Sequence, residues 1–331
     1  MKNKTMHDRP VSINIELTKR CVLNCKMCHA WKISEEKEEL TIKELKGLID
    51  SLPDVFDSDI AISFGGGEPF LKEGILDIVS VCAGRGYRTI IPTNAFLIDR
   101  AMAKKIVDSG LEIIFISLDS LKEETHDYLR GKKGVYNNLM RAIDHISELK
   151  KETPRIQIST LITGKNLEDL IGLARWACTD KRLFGISFQA VTAPFYTPEG
   201  PAWYLKDEYR ELWPKDKTRL KEIIEELIEL KGQGLKIWNP VSQLRMFLSY
   251  YDNPECFIRK RECHLGRDSL GVGSCGDVFL CYLMEPINNI RDYNLKDIWN
   301  NQRAVTIRQR IKECKKNCQI LVNCWFEEEK P

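Results

Sequence analysis

Three cysteines crowd into one short stretch, Cys21-Val-Leu-Asn-Cys25-Lys-Met-Cys28. Three thiolates cannot fill a tetrahedral structural zinc site, and the nearest fourth ligand, His29, follows Cys28 so closely that it strains to reach the same metal. A cubane 4Fe–4S cluster takes one ligand per iron, so three cysteines leave one iron open to bind and polarise a substrate. Two blander alternatives stand beside it: a zinc site of three cysteines with His29, and three structural thiols, which the polar loop argues against. A second field holds Cys256, Cys263, Cys275, Cys281, Cys314, Cys318 and Cys324. By spacing alone, these could equally build a zinc module with four cysteine ligands. Cys82 and Cys178 sit alone on helical patterns and read as small buried hydrophobes.

The chain that carries these 12 cysteines has 331 residues, with 50 Lys+Arg against 48 Asp+Glu and a net charge of +2. So even a balance offers no basic footprint for nucleic acid. No apolar run is long enough to span a membrane, and the first ten residues hold no apolar stretch of a secretory signal. The expectation is a cytoplasmic protein in a reducing compartment, where cysteines serve as metal ligands or catalytic thiols before disulfides.

The elements that must position the triplet alternate. β-rich runs at 12–18, 59–64, 87–92, 112–118, 155–163 and 185–191 are separated by amphipathic helical stretches, as in parallel βαβ units whose sheet is covered by helices. Thr41-Ile-Lys-Glu44 is a capping box opening a helix to about Ser51. Asn166 is expected to cap a helix over 167–179, and further helices are expected over 99–109 and 135–150. Six units are too few for a closed eight-fold barrel, so the expected class is α/β, a partial (β/α)6 barrel followed by a small α+β Cys-rich domain. The expected boundaries are 1–191 for the barrel, 192–255 for a bridge and 256–331 for the Cys-rich domain. The bridge holds an aromatic group (Phe195, Tyr196, Trp203, Tyr204, Tyr209, Trp213), read as core packing between domains, and a charged helix over 217–231. The Cys-rich domain is expected to hold a hairpin (269–273 and 278–282) and helices over 295–300 and 304–312. Chemistry in such a fold belongs in the loops after the C-terminal strand ends, where the triplet lies. Gly271-Val-Gly273-Ser-Cys-Gly276 satisfies GxGxxG, but it follows no first βαβ strand and opens no helix, so a dinucleotide site is rejected.

CxxxCxxC after the first strand of a partial barrel resembles the radical S-adenosylmethionine superfamily, with Met27 where an aromatic residue usually precedes the third cysteine. Ser63-Phe-Gly-Gly-Gly-Glu-Pro69 resembles that family's GGE element. Thr93-Asn94 and Ser117-Leu-Asp119, at the third and fourth strand ends, resemble its ribose and methionine contacts. The stretch from Ser117 to the run His126-Asp-Tyr-Leu-Arg-Gly131, and Thr160–Asn166 after it, follow the same order. The resemblance implies a 4Fe–4S cluster on Cys21, Cys25 and Cys28 whose open iron chelates S-adenosylmethionine. It implies S-adenosylmethionine contacts at Gly65, Gly66, Gly67, Glu68, Asn94, Ser117 and Asp119. It also implies reductive cleavage to a 5′-deoxyadenosyl radical that abstracts hydrogen from substrate, with a low-potential donor such as ferredoxin or flavodoxin.

Cys263-(x12)-Gly276-(x4)-Cys281, then Asn294–Trp299 and Cys314-(x3)-Cys318-(x5)-Cys324, resemble the SPASM/twitch extension, which binds one or two auxiliary iron–sulfur clusters. CxxxC stands where that pattern has CxxC, and two later cysteines of the pattern are missing. One full cluster would use Cys263, Cys281 and two or three of Cys314, Cys318 and Cys324; two three-ligand clusters would add Cys256. Tyr282 occupies the position of the Asp base in sulfatase-maturing relatives, which argues against that activity and makes Tyr282 a candidate proton or electron partner. Only about 20 residues precede the triplet, so no leader-peptide-binding domain is expected ahead of it. The implied substrate is a peptide or protein; the alternatives are a small-molecule radical dehydrogenase and, from another class, a non-enzymatic metal-binding module with zinc or Fe–S sites.

Overall fold

The computed structural model describes residues 10–33, 38–56, 59–194, 200, 202–254, 263, 265–314 and 321–324. The β-rich runs form β1 (Ser12–Thr18), β2 (Ala61–Gly66), β3 (Arg88–Thr93), β4 (Ile113–Ser117), β5 (Arg155–Ile162) and β6 (Gly185–Ala190). Neighbours in this series pair in parallel. Burial alternates along β1 to β4. In β1, Ile13, Ile15 and Leu17 are buried, whereas Asn14 is exposed and Glu16 half-buried. In β4, Ile114 and Ile116 are buried, whereas Phe115 and Ser117 are half-buried. One face of the sheet is therefore sealed and the other stays open, as in a barrel that has not closed.

Helices on the sealed face are α1 (Ile42–Ser51), α2 (Ile75–Gly84), α3 (Arg100–Asp108), α4 (Glu123–Arg130), α5 (Val135–Leu149) and α6 (Leu170–Thr179). The capping box on α1 forms as expected: Glu44 N donates to Thr41 Oγ1 at 3.2 Å and Thr41 N to Glu44 Oε2 at 2.7 Å. Asp99 caps α3 by accepting from Met102 N at 2.7 Å. Asn166 does not cap. Its amide nitrogen donates to the carbonyls of Asp119 (2.7 Å) and Leu161 (2.8 Å), and its oxygen accepts from Thr163 N (2.8 Å). A short 3-10 turn, Leu167–Asp169, intervenes before α6. Asn166 thus ties the ends of β4 and β5 together, a task local propensity could not reveal.

The bridge folds as α7 (Lys217–Gly232) and a helix with no clear start signal in the sequence, α8 (Val241–Asp252). Its aromatic residues pack closely: the Trp213 ring lies 5.8 Å from Trp203, 4.4 Å from Tyr204 and 4.9 Å from Tyr251. Tyr251 OH donates to Ile162 O at 2.6 Å and accepts from Val191 N at 2.9 Å. The cluster therefore seats the bridge on the ends of β5 and β6, and burying each ring contributes about 1.5–3 kcal/mol. Phe195 and Tyr196 lie outside the described residues.

After α9 (Leu265–Asp268) come β7 (Ser269–Val272) and β8 (Val278–Phe279), an antiparallel hairpin, then α10 (Leu295–Asn300), α11 (Gln302–Lys312) and α12 (Leu321–Cys324). The hairpin joins the barrel. β7 pairs in parallel with β1, from Ser12↔Ser269 to Ile15↔Val272, giving the order β6-β5-β4-β3-β2-β1-β7-β8. At the opposite edge two asparagines stand in for a strand. Asn239 accepts from Phe188 N (2.6 Å) and donates to Phe188 O (2.8 Å), and Asn323 makes the same pair with Ala190 N and O, both at 2.7 Å. Among the described residues no helix is long and apolar enough to cross a membrane.

Candidate active site

The three-cysteine loop is held from two sides. On one side lies the glycine loop after β2: Gly67 N donates to Thr18 O at 2.7 Å and Glu68 N to Arg20 O at 2.9 Å. A Cβ on Gly67 would stand 2.2 Å from Arg20 O, and Gly66, with φ of 122°, would meet Thr18 O at 2.2 Å. Only glycine lets these backbones approach so closely. On the other side is the C-terminal end of α4, where Lys26 N donates to Leu129 O (2.9 Å), a last-turn carbonyl without a partner in the helix. Lys132 Nζ donates to Val22 O at 3.2 Å, and Gly131, with φ of 69°, abuts Asn24.

Cys21, Cys25 and Cys28 are all half-buried, and burial pushes each thiol above its ordinary range, Cys25 to about 12. Cys25 feels the charge of both other cysteines, and Cys21 that of Cys28. Desolvation of this kind disfavours free thiolates and favours thiolates shared with a cationic metal centre. Asn94 Nδ2 lies 3.7 Å from Cys21 Sγ, and Ala30 N donates to Cys28 Sγ at 3.5 Å. His29 is buried, but its Nε2 faces Tyr209 OH (3.2 Å), Lys32 Nζ (3.0 Å) and Glu208 Oε1 (3.5 Å). That nitrogen ties the loop to the bridge.

Glu68 is 1% exposed and accepts from Thr93 Oγ1 (2.8 Å), Asn94 N (3.0 Å) and Phe70 N (3.3 Å). Even with these donors, burial lifts its carboxyl from 4.5 to about 7. A cation placed beside it would offset that desolvation. In the cluster-free chain the raised value has a sign that can be tested. Folded Glu68 keeps its proton while the unfolded chain loses it above pH 4.5, so stability falls as pH rises to about 7 and then levels. Unfolding at pH 4 and pH 7 should show wild type losing about 3 kcal/mol relative to Glu68→Gln over that span. Parallel pH profiles for the two proteins would refute it.

Asn94 is 7% exposed and turns its Oδ1 to Phe96 N at 2.9 Å, so it links the Glu68 pocket to Cys21. Ser117 ends β4 on the open face, in register with Ser159, which pairs with Ser187. Asp119 lies in the turn between β4 and α4. Its side chain is wholly enclosed; Oδ1 accepts from Leu161 N (3.1 Å) and Oδ2 lies 2.8 Å from an Arg130 terminal nitrogen. Arg130 lies within the His126–Gly131 run that the sequence already marks, and its pairing with Asp119 spans the β4–α4 turn.

In the C-terminal field Cys263, Cys281 and Cys314 are half-buried and Cys275 is buried, while Cys256 and Cys318 lie outside the described residues. Gly276 sits in the hairpin turn as expected, with φ of 93° and Gly276 N donating to Gly273 O at 2.9 Å. Cys281 follows that hairpin, and Cys314 follows α11. Cys324 is the last residue of α12, which Asn323 docks at the C-terminal end of β6. Among the described residues no three Cys, His, Asp or Glu side chains converge on a single-ion site. Tyr282 is 53% exposed, and its hydroxyl stands 2.7 Å from where a Cβ on Gly271 would project. Gly271 is in register with Asn14, so Tyr282 lies on the open face of the sheet.

Comparison with known proteins gives this geometry its relatives. A model of the radical SAM superfamily matches residues 15–177, and one of the iron–sulfur cluster-binding SPASM domain matches residues 263–325. The AdoMet-dependent heme synthase of Methanosarcina barkeri is 27% identical over 326 residues, 95% of this chain and 89% of that protein. The PqqA peptide cyclase of Bradyrhizobium diazoefficiens is 23% identical over 94% of this chain and 79% of that protein. The crystal structure of Streptococcus suis SuiB bound to precursor peptide SuiA superposes with a TM-score of 0.68 at 18% identity, covering 91% of this chain and 67% of that one.

Proposed function

The chain belongs to the radical SAM superfamily and carries a SPASM iron–sulfur domain; from that premise we propose that it abstracts hydrogen from a substrate bound on the open face of the barrel. The observation that carries this reading is the pinning of three desolvated thiols against the Glu68 loop at the C-terminal end of β1. Cys21, Cys25 and Cys28 would hold a 4Fe–4S cluster, which would supply the electron for reductive cleavage of S-adenosylmethionine. Gly65, Gly66 and Gly67 give the cofactor a backbone it can approach closely, and Glu68 takes its ammonium group. Asn94 and Ser117 offer hydrogen bonds on the same rim, and Asp119, wholly enclosed, pairs with Arg130. Cys263, Cys281, Cys314, Cys318 and Cys324, with Cys256, would hold the auxiliary iron, and the Tyr282 hydroxyl is the candidate proton partner. The electron comes from a low-potential donor of the ferredoxin or flavodoxin type.

The substrate we propose is a peptide or protein, to be oxidised or crosslinked, a reading supported by the likeness to PqqA peptide cyclase. A second reading, chemistry on an iron porphyrin, is supported by the likeness to a heme synthase along 89% of that protein. The test is anaerobic reconstitution with iron and sulfide, then S-adenosylmethionine and a strong reductant. 5′-Deoxyadenosine should form, and more than about four irons should bind per chain. Failure to cleave S-adenosylmethionine would remove the enzyme reading. Deuterium carried into 5′-deoxyadenosine from a labelled peptide or from a labelled porphyrin decides between the substrates.

A further inference from the structure

Arg130 is a cation with little water around it: it is buried, its Nε has no hydrogen-bond partner among the described residues, and Asp119, fully enclosed, stands 2.8 Å from its terminal nitrogen. The guanidinium lies close enough to Cys25 for its charge to act on that thiol. His126, packed beside it, accepts from Asp119 N at 3.2 Å, and burial holds its ring well below the usual histidine range, so it stays neutral. α4 fixes the guanidinium on the loop, because Leu129 O and Lys132, on either side of Arg130, both hold loop backbone.

We infer that Arg130 is a positioning residue that acts through Cys25, orienting that ligand and placing one buried positive charge, trimmed by Asp119, against the cluster it holds. The inference rests on the reading of the triplet as a cluster site. Reduction adds one electron, and so one negative charge, taken from the external donor, to the set of thiolates around Cys25. A buried cation beside the ligands favours the reduced form, and a buried anion paired with that cation opposes it. Arg130 therefore raises the potential at which the set accepts its electron, and Asp119 holds that rise in check.

The measurement is a redox titration of the full-length reconstituted protein, followed by the reduced-cluster EPR signal that responds to S-adenosylmethionine. At a fixed donor potential the reduced fraction should fall roughly fivefold or more in Arg130→Gln, rise in Asp119→Asn and stay near wild type in Arg130→Lys. Opposite shifts from two neighbouring residues are what a purely structural contact does not produce. If Arg130→Gln fails to fold, Asp119→Asn, which keeps the side-chain shape, still decides. An unmoved or lowered reduced fraction in Asp119→Asn overturns the inference. Absence of any S-adenosylmethionine-responsive signal in wild type overturns the cluster reading itself, so the two failures are distinguishable.

Discussion

Cys21→Ala, Cys25→Ala and Cys28→Ala combined abolish 5′-deoxyadenosine formation while iron on the C-terminal cysteines remains. The effect is complete because each thiolate answers for one iron, and nothing nearby substitutes: the Nε2 of His29, the adjacent ligand type, is committed to Tyr209, Lys32 and Glu208. The loop should keep its course without the sulfurs, since its holds are backbone contacts to Thr18, Arg20 and Leu129. The melting temperature of the cluster-free protein should therefore change little, and the loss belongs to chemistry and not to folding. Iron per chain and 5′-deoxyadenosine yield, read together under strong reductant, check both halves. Residual cleavage of S-adenosylmethionine by the triple variant would move the catalytic cluster elsewhere.

Gly131→Ala is expected to be nearly as severe, and Gly134→Ala mild. Both glycines have positive φ, 69° and 79°, so both alanines carry a left-handed strain of roughly 1–2 kcal/mol. The difference lies in what surrounds them. A Cβ on Gly134 meets nothing within 4 Å, whereas one on Gly131 lands 2.1 Å from Asn24 O and 2.6 Å from Asn24 C. Asn24 is backbone next to Cys25, so relief of that clash displaces a cluster ligand. Misplacement near 1 Å costs about two orders of magnitude in rate, and Gly131→Ala should lose at least that much cleavage along with iron at the triplet. The readouts are S-adenosylmethionine turnover and the S-adenosylmethionine-responsive EPR signal. Equal behaviour of the two variants would mean that α4 does not set the loop.

Legibility in the sequence follows range. β1 is found over the expected residues, and Thr41 and Glu44 form their box, because strand patterning and capping are decided within a few positions. The order of the motifs points to the superfamily, which the family models match. What escapes is decided by distant partners. α8 carries Tyr250 and Tyr251 as buried anchors for the ends of β5 and β6, and its aromatics blend into the bridge because their partners lie far away in sequence. Asn166 has the type and place of a cap and instead serves two carbonyls of other elements. Arg130 belongs to the His126–Gly131 run, but its pairing with Asp119, on the neighbouring turn, is decided in three dimensions.

The pairing of β1 with β7 also sets a schedule. Ser12 and Asp268, bonded at this seam, are 256 residues apart, so the strand bearing the first cysteine loop leaves the ribosome long before its outer neighbour exists. At about 5–20 residues per second that interval lasts roughly a quarter of a minute to nearly a minute. Throughout it one side of β1 is an unpaired edge, open to strand addition from another nascent chain. Metal loading that waits for the seam to close would meet a finished sheet, and loading that comes earlier would meet a strand still able to pair wrongly.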